Sequence, residues 1–319
     1  MTQRTLLRLA SLIIITLAFT SFAFAVVPQR TFVSAQHGDD ANTANNCSVT
    51  LPCRNFNAAV GVVAAGGEVV ALDSGGYGVT TISKAVTLTS PLGVYAAITA
   101  QSSSDAITVS AAGGSTGDTV VLRGLTLTGL GGNNGINVTS VGNLHVEGCV
   151  ISGFNTLGIY VHLGADGSRI FVKDTIMRNN GNSGIYIKTF VGIVRASIDN
   201  CRSERNGNEG FFAANNSRVT INRSVASGNN SGFVASSDTS GEIAELSCQE
   251  CVSSYNAYGF VANTSGGAAT IRVSHSMATN NATNGFAQLS TGVFRSLGNN
   301  LVDGNATETS GTITLLMAK

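Results

Sequence analysis

The stretch "RNNGNSGIYI", residues 178–187, decides the fold because the chain returns to its pattern again and again. It sets an Asn-rich bend before a glycine, and alternating apolar residues follow. The same order recurs as "RNGNEGFFA" at 205–213 and as "SYNAYGFVA" at 254–262. Self-similarity at a fixed period is typical of solenoids, in which each repeat forms one structural unit.

Two sequence markers keep the same period of about 25 residues. The first is the glycine after each bend, found at Gly135, Gly158, Gly184, Gly210, Gly232, Gly259 and Gly285. The second is the residue, mostly small, that follows a short strand, found at Leu125, Cys149, Thr175, Cys201, Ser224, Cys251, Ser276 and Asn300. Because two independent markers move in step, the repeat is structural.

The repeats predict strands. Ile185 and Ile187 flank Tyr186, and alternation over a few residues marks a strand. No repeat contains a helix-length amphipathic segment. The sequence therefore predicts an all-β protein, a right-handed parallel β-helix of about 25 residues per coil, with coils ~4.8 Å apart.

Stacked coils would align equivalent residues in columns. One inward column is expected at Ile136, Ile159, Ile185, Phe211, Phe233, Phe260 and Phe286, and a second at Val138, Val161, Ile187, Ala213, Ala235 and Ala262. The second column shrinks where the first becomes aromatic, which predicts volume compensation in a close-packed core. A polar ladder is expected at Asn179, Asn206, Asn229, Asn256 and Asn280 or Asn281.

The chain divides into four segments. Residues 1–25 combine Arg4 and Arg8 with the apolar run "LASLIIITLAF" and a final "AFA", which predicts a cleaved secretory signal. An uncleaved membrane anchor is the alternative. Residues 26–78 are expected to hold a strand, a loop and a capping helix, 79–305 the coils, and 306–319 a last strand or cap. No span is expected after cleavage, so the protein is predicted to be secreted, periplasmic or at the cell surface.

Composition limits partners and cofactors. The formal net charge is zero with 11% charged residues, which leaves no basis for nucleic-acid binding. Cys47 and Cys53 bracket the short loop "CSVTLPC" and predict a disulfide in an exported chain. Cys149 and Cys201 are expected to be small buried residues. Cys248 and Cys251 lack the further ligands that a zinc site needs. The redox state of these four cysteines stays open.

The N-terminal region resembles a known family. "TFVSAQHGDD" and "PCRNFNAAVGVVAAGGEVVALDSGGYG" are similar to the opening of secreted bacterial right-handed β-helix proteins of the pectin-lyase-like superfamily. With the repeats, the resemblance covers residues 31 to 305. It implies the β-helix fold and a capping helix. It does not imply one activity, because the superfamily includes lyases, hydrolases, epimerases and adhesins.

A catalytic constellation is not evident in the sequence. Arg123, Glu147, Lys173 and Asp199 alternate in charge along one expected column, which favours pairing between coils. Lys173, Asp199 and Glu147 are the catalytic candidates if the chain is a lyase or glycosidase, with Lys188 in the same region. No metal site is predicted, because the coil aspartates are too dispersed to surround a calcium ion. Calcium would be a cofactor only if the chain is a lyase.

An outward aromatic row is the better candidate for a binding site. Tyr160, Tyr186 and Phe212 are expected on one face, with His162 and Lys188 two residues further on. Such a row suits stacking against sugar rings. The alternative is a satellite core covered by a loop such as "LGADGS" at 163–168. The neighbouring residues Glu204, Arg205 and Glu209 are interpreted as a solvated turn.

Three functions follow from these patterns. The sequence favours a non-catalytic exported β-helix that binds extracellular or cell-wall polysaccharide, or a cell-surface glycan. A polysaccharide lyase or glycoside hydrolase is the second hypothesis, and an adhesin or structural solenoid is the third.

Overall fold

Short parallel strands wind through the part of the chain that the structure describes. This structure is a computed structural model, and it describes residues 27–111 and 118–317. The predicted signal segment at 1–25 lies outside the described residues. Three sheets form the sides of a parallel β-helix of about nine turns, with roughly 26 residues per turn. The predicted fold class is confirmed.

Each sheet takes one strand from every turn. Sheet 1 contains β1 (Arg30–Val33), β2 (Gly67–Ala71), β5 (Val86–Thr89), β8 (Thr119–Arg123), β11 (Asn143–Glu147), β14 (Arg169–Lys173), β17 (Val194–Asp199), β20 (Ser217–Asn222), β23 (Ile243–Gln249), β26 (Ala268–Ser274), β29 (Val293–Ser296) and β32 (Ile313–Leu315). Sheet 2 contains β3 (Gly75–Gly76), β6 (Ala96–Gln101), β9 (Leu125–Leu130), β12 (Val150–Ser152), β15 (Ile176–Arg178), β18 (Arg202–Glu204), β21 (Val225–Ser227), β24 (Val252–Ser254), β27 (Met277–Thr279) and β30 (Leu301–Asp303). Sheet 3 contains β4 (Thr80–Ile82), β7 (Ile107–Ser110), β10 (Ile136–Ser140), β13 (Ile159–Leu163), β16 (Ile185–Thr189), β19 (Glu209–Ala213), β22 (Ser231–Ser237), β25 (Tyr258–Thr264), β28 (Asn284–Gln288) and β31 (Thr307–Ser310).

The two predicted inward columns form the core beside sheet 3. Ile159 pairs with Ile185 and Ile185 with Phe211, so the first column runs in register from coil to coil. Its aromatic part is a stack: the rings of Phe211 and Phe233 lie 5.0 Å apart at 3°. Every member of both columns is buried. The alternation of the sequence therefore separates core from surface correctly.

The buried asparagine ladder is real, but the prediction for one member was wrong. The ladder consists of Asn180, Asn206, Asn229, Asn256, Asn281 and Asn305, and each side-chain oxygen accepts hydrogen bonds from the preceding coil. The Nδ2 of Asn180 donates to Oδ1 of Asn206 at 2.9 Å. Asn179 is instead exposed with φ 54°, as is Asn280 with φ 55°. In both bends the first Asn makes the left-handed turn, and the second reaches the interior.

The glycine markers allow the coils to approach closely beside this ladder. A Cβ on Gly158 would lie 2.5 Å from the carbonyl oxygen of Gly184, and one on Gly184 would lie 2.8 Å from that of Gly210. Real Cβ atoms do not come that near a backbone oxygen without a shift of one strand. The repeated glycine is therefore a requirement of stacking between coils.

A helix and a disulfide close the N-terminal end. Helix α1 (Phe56–Val62) buries Phe56, Ala59 and Val60 against the first strands, as its amphipathic pattern predicts. A 3₁₀ turn spans Asp40–Asn45, and Cys47 and Cys53 form the predicted disulfide. Sheet 1 already begins within the segment 26–78, since β1 and β2 pair there. No helix among residues 27–111 and 118–317 is long and apolar enough to cross a membrane.

The other four cysteines are free and buried. Cys149 and Cys201 occupy corners after strands of sheet 1, as small core residues. Burial raises the pKa of the Cys149 thiol to about 11. Cys248 and Cys251 are buried as well. Within the described ranges, no group of three or more His, Cys, Asp or Glu is placed to hold a metal ion.

Candidate functional site

The aromatic row lies on the outer face of sheet 3. Tyr160, Tyr186 and Phe212 occupy paired positions on β13, β16 and β19, because parallel strands in register bring equivalent residues side by side. The ring centroids of Tyr160 and Tyr186 are 5.6 Å apart, and those of Tyr186 and Phe212 are 4.7 Å apart. All three side chains are half-buried. The three rings form an apolar strip along the solenoid axis.

The row has two distinct ends. After Phe212 the same column continues as Val234, Val261 and Ala287, which are buried in a small cluster with Phe212, Tyr258 and Leu289 packed against it. A satellite core therefore exists on this face, and it includes the last ring of the aromatic row but not Tyr160 or Tyr186. Before Tyr160 the column continues as the polar Asn137.

The strip is the floor of an open cleft of about 540 Å³. One wall is formed by the bends that precede the strands of sheet 3, which present amide and hydroxyl groups. The lining residues are Asn133, Asn134, Thr156, Leu157, Tyr160, Asn182, Ser183, Tyr186, Lys188, Asn208, Glu209 and Phe212. Backbone hydrogen bonds hold the wall from coil to coil, for example from the N–H of Asn208 to the carbonyl of Asn182 at 3.0 Å.

Lys188 stands over the aromatic floor, on the face where the sequence places it. Its Nζ lies 5.5 Å from the ring centroid of Tyr186, 5.9 Å from that of Tyr160 and 5.0 Å from that of Phe190. These are cation–π distances, at which the ring faces attract an ammonium. The three rings hold the ammonium over the edge of the cleft.

His162 braces the Tyr160 end of the floor. Its ring stacks on Tyr160 at 4.1 Å and 17°, and its Nε2 lies 2.8 Å from Oδ1 of Asn137. The amide of Asn137 donates in turn to Asp105 at 2.6 Å. Burial lowers the pKa of His162, and the positive charge of Lys188 lowers it further. The charge of Asp105 opposes this lowering. The imidazole is a stacked, hydrogen-bonded support for the aromatic floor.

Glu209 is a cleft residue that the sequence reasoning missed. The interpretation of this position as a solvated turn was wrong, because Glu209 is the first residue of β19 and its side chain is half-buried. Its Oε2 accepts a hydrogen bond of 2.6 Å from the hydroxyl of Ser183. Burial raises its pKa, and the Ser183 hydrogen bond opposes that rise. Among the described residues, no cation lies within salt-bridge distance of it.

A second carboxylate influences the same floor. Burial raises the pKa of Tyr186 to about 12, and the nearby hydroxyl of Tyr160 and the carboxyl groups of Asp238 and Glu209 raise it further. Hydrogen bonds from Asn215 and Thr239 lower the pKa of Asp238, and the charge of Lys188 also lowers it. The carboxyl groups of Asp238 and Glu209 therefore both act electrostatically on Tyr186, and their own pKa values are shifted in opposite directions.

The predicted catalytic residues lie on a different face. Glu147, Lys173 and Asp199 occupy adjacent positions on sheet 1, in the predicted column order. Glu147 pairs with Arg123 at 2.8 Å and Asp199 with Arg223 at 2.6 Å. Lys173 lies 3.9 Å from Asp174. Because Lys188 lies on sheet 3, the structure does not bring it together with these three residues.

Sequence comparison identifies the repeat as a known one. The profile of the family described as "Right handed beta helix region" matches residues 95–244 and 134–306, which together cover well over half of the chain. The chain belongs to the right-handed β-helix family. No curated protein matches the sequence of this β-helix protein.

Solved structures share the architecture at low sequence identity. The pectate lyase Pel9A is 15% identical, with a TM-score of 0.52, over 92% of this chain and 78% of the lyase. A GH136 lacto-N-biosidase from Eubacterium ramulus is 12% identical, with a TM-score of 0.48, over 90% of this chain and 68% of that enzyme. A rhamnogalacturonan lyase is 14% identical, with a TM-score of 0.42, over 84% and 73%. At 15% identity, the likeness to the pectate lyase shows the fold of the β-helix protein alone.

Proposed function

We propose that the protein binds an extracellular or cell-wall polysaccharide in the cleft on sheet 3. The observation that carries the proposal is the half-buried row of Tyr160, Tyr186 and Phe212 along the axis. An aromatic ring has a large apolar face, which packs against the C–H face of a pyranose ring. A row of rings on successive coils gives an extended sugar chain several such contacts in line.

The cleft also has the polar groups that a sugar requires. Ligand sites are mostly apolar concavities in which a few placed polar groups fix the orientation of the ligand. Here the floor is apolar, and the wall offers Asn134, Asn182, Ser183 and Asn208. A chain lying on the rings would direct its hydroxyl groups toward this wall. The similar folds of polysaccharide-degrading enzymes agree with such a ligand but do not identify it.

The decisive variant is Tyr186→Ala. Tyr186 occupies the middle of the row and points away from the core, so its loss removes the central stacking face without opening the interior. We expect affinity for the polysaccharide that binds the wild type to fall at least about tenfold, about 1.4 kcal/mol. The measurement is affinity electrophoresis against a panel of neutral and acidic polysaccharides, with thermal unfolding as a check of folding.

Tyr95→Ala is the matched control, because Tyr95 is an exposed tyrosine outside the cleft. It should leave affinity unchanged. Equal losses in both variants, or binding that survives Tyr186→Ala, would refute the cleft as the binding site. A wild type that binds no member of the panel would favour the adhesin or structural alternative.

A catalytic function is the second candidate, and Glu209 favours it, because it lines the cleft with a raised pKa and glycosidases use such a carboxylic acid as the general acid. Release of reducing ends from the same panel, abolished by Glu209→Gln, would replace pure binding by hydrolysis. The absence of released product from a polysaccharide that binds would leave binding as the function.

A further inference from the structure

The cleft has few ionisable groups, and each of them already interacts with other residues of the protein. Among the lining residues, tyrosines aside, only Lys188 and Glu209 carry ionisable side chains. The ammonium of Lys188 lies over three ring faces, and its charge also acts on Asp238. Glu209 accepts from Ser183 and has no cationic partner within the described part of the chain.

The wall offers unused hydrogen-bond donors that are uncharged. The side-chain NH₂ groups of Asn182 and Asn208 have no acceptor among residues 27–111 and 118–317. The Asn182 oxygen lies 3.1 Å from the Ser183 hydroxyl, whose proton goes to Glu209, and the Asn208 oxygen accepts from Asn230. Both residues line the cleft, so their N–H groups are available to a ligand there. The hydroxyl oxygens of a neutral sugar are suitable acceptors for such donors.

A carboxylate on the ligand would be poorly accommodated in the same place. Binding sites for anionic sugars gain from a planar, bidentate guanidinium, and none of the described residues that line the cleft is an arginine. The carboxylate of a uronate lying on the rings would lose its hydration and would be repelled by Glu209 and Asp238. Among the described lining residues, the cation is Lys188, which is already attracted by the rings and by Asp238. Lys188 therefore offsets little of the free-energy cost of desolvating the uronate.

We infer that the cleft selects uncharged glycans over acidic ones, with the rings as platform and the Asn182 and Asn208 amides as donors. This rests on the proposed function and names its ligand class. Glu209 contributes to the selection by disfavouring a second carboxyl group beside it. A neutral chain meets no such repulsion.

Matched sugars test the inference. The probes are cellohexaose and mannohexaose, each compared by calorimetry with its C6-oxidised uronate hexamer at one fixed salt concentration. We expect the wild type to bind the better neutral hexamer at least tenfold more tightly than its uronate. Glu209→Gln should shift that ratio toward the uronate by at least threefold. Glu204→Gln removes an acid that is paired with Arg202 on β18 of sheet 2, and it should leave the ratio unchanged.

The outcomes separate this inference from the proposed function. If the uronates bind as tightly as the neutral hexamers and Tyr186→Ala still abolishes binding, the cleft binds glycans but the inferred selectivity is wrong. If Glu209→Gln and Glu204→Gln change the ratio equally, general charge controls it and the role of Glu209 is refuted. If no hexamer and no polysaccharide of the panel binds, both proposals fail.

Discussion

Glu209 lies where a carboxylate is poorly solvated. It is half-buried, the Ser183 hydroxyl of the preceding coil donates to it, and burial raises its pKa above that of a free glutamate. The folded protein therefore holds the proton on Glu209 more tightly than the unfolded chain does. Stability from this group is present below the ordinary glutamate pKa and is lost as pH rises through the raised value.

The predicted consequence is a pH-dependent difference between the wild type and Glu209→Gln. Glutamine cannot ionise, so the free energy of unfolding of the variant should gain on that of the wild type as pH rises through the acidic range toward neutral. Urea denaturation at a series of pH values measures both curves. Parallel curves would show that Glu209 is as well solvated in the folded protein as in the unfolded chain.

Single residues were predictable where the strand alternation alone decides their direction. Tyr186 points outward because Ile185 and Ile187 point inward, and the sequence contains that information. The burial of Glu209 depends on what the next coil places beside it, which alternation does not specify. Reading the column before each marker glycine (Asn134, Leu157, Ser183, Glu209, Ser231) would have shown one acid among smaller or uncharged neighbours.

At the scale of the strand, β16 and β19 fill the same core space in different ways. β16 carries Ile185 and Ile187 inward, and its neighbour β19 carries Phe211 and Ala213 at the paired positions. All four are buried. Since interiors pack at nearly constant density, the larger ring of Phe211 is matched by the smaller side chain of Ala213.

A double-mutant cycle tests this compensation. Ala213→Ile alone should destabilise by about 1–3 kcal/mol, because it overfills a packed core. Phe211→Ile alone should also destabilise, because it leaves a void and removes the stack with Phe233. The double variant has the same two residues as β16, so its loss of unfolding free energy should be smaller than the sum of the losses in the two single variants. Chemical denaturation measures the free energy of unfolding of all three variants. Strictly additive losses would contradict volume compensation.

Elements were predictable in kind, with errors at the corners. The ladder position in "RNNGN" was assigned to Asn179 although Asn180 occupies it, because two adjacent asparagines differ only in which one takes the left-handed turn. The sequence does not distinguish them. The close approach of the glycines was likewise hidden, since it depends on distances between coils rather than on the turn itself.

At the scale of the whole molecule, each coil contacts mainly its neighbours. In such a quasi-linear protein, the effect of a core defect depends on its distance from an end. Phe294 is buried in β29, with its ring 4.7 Å from that of Phe286, near the C-terminal end. The N-terminal end is held by α1 and the disulfide.

The same Phe→Ala substitution should therefore affect different numbers of coils at the end and in the middle of the solenoid. Phe294→Ala should raise amide hydrogen exchange in β28 to β32 and leave β10 to β20 protected. Phe233→Ala, in the middle, should lower protection through the adjacent coils on both sides, with a local cost of about 3–5 kcal/mol. Hydrogen exchange followed by mass spectrometry measures both patterns. Uniform loss across the chain in Phe294→Ala would mean that the solenoid unfolds as one unit.

The whole fold was predictable because its period recurs many times in the sequence, and the aromatic row on sheet 3 followed from the same strand alternation, whereas the wall of the proposed binding cleft was not predictable. Every face of a solenoid carries a column of equivalent residues, so a column alone does not identify a functional face. The catalytic hypothesis was placed on the charged column of sheet 1, but the residues of that column form ion pairs with one another or with neighbouring residues. The cleft could not be predicted from the strand pattern, because its wall is formed by bends that this pattern does not describe.

The asparagine ladder has an electrical direction. Each side-chain oxygen faces the preceding coil and each amide nitrogen also donates to the next, so the amide dipoles from Asn180 to Asn305 add along the axis with their positive end toward the C-terminus. At that end the Nδ2 of Asn305 donates to Glu308 at 2.7 Å. A carboxylate thus sits at the positive pole of a row of side chains, as acidic residues do at the first turn of a helix. The solenoid carries a buried dipole that its backbone does not supply.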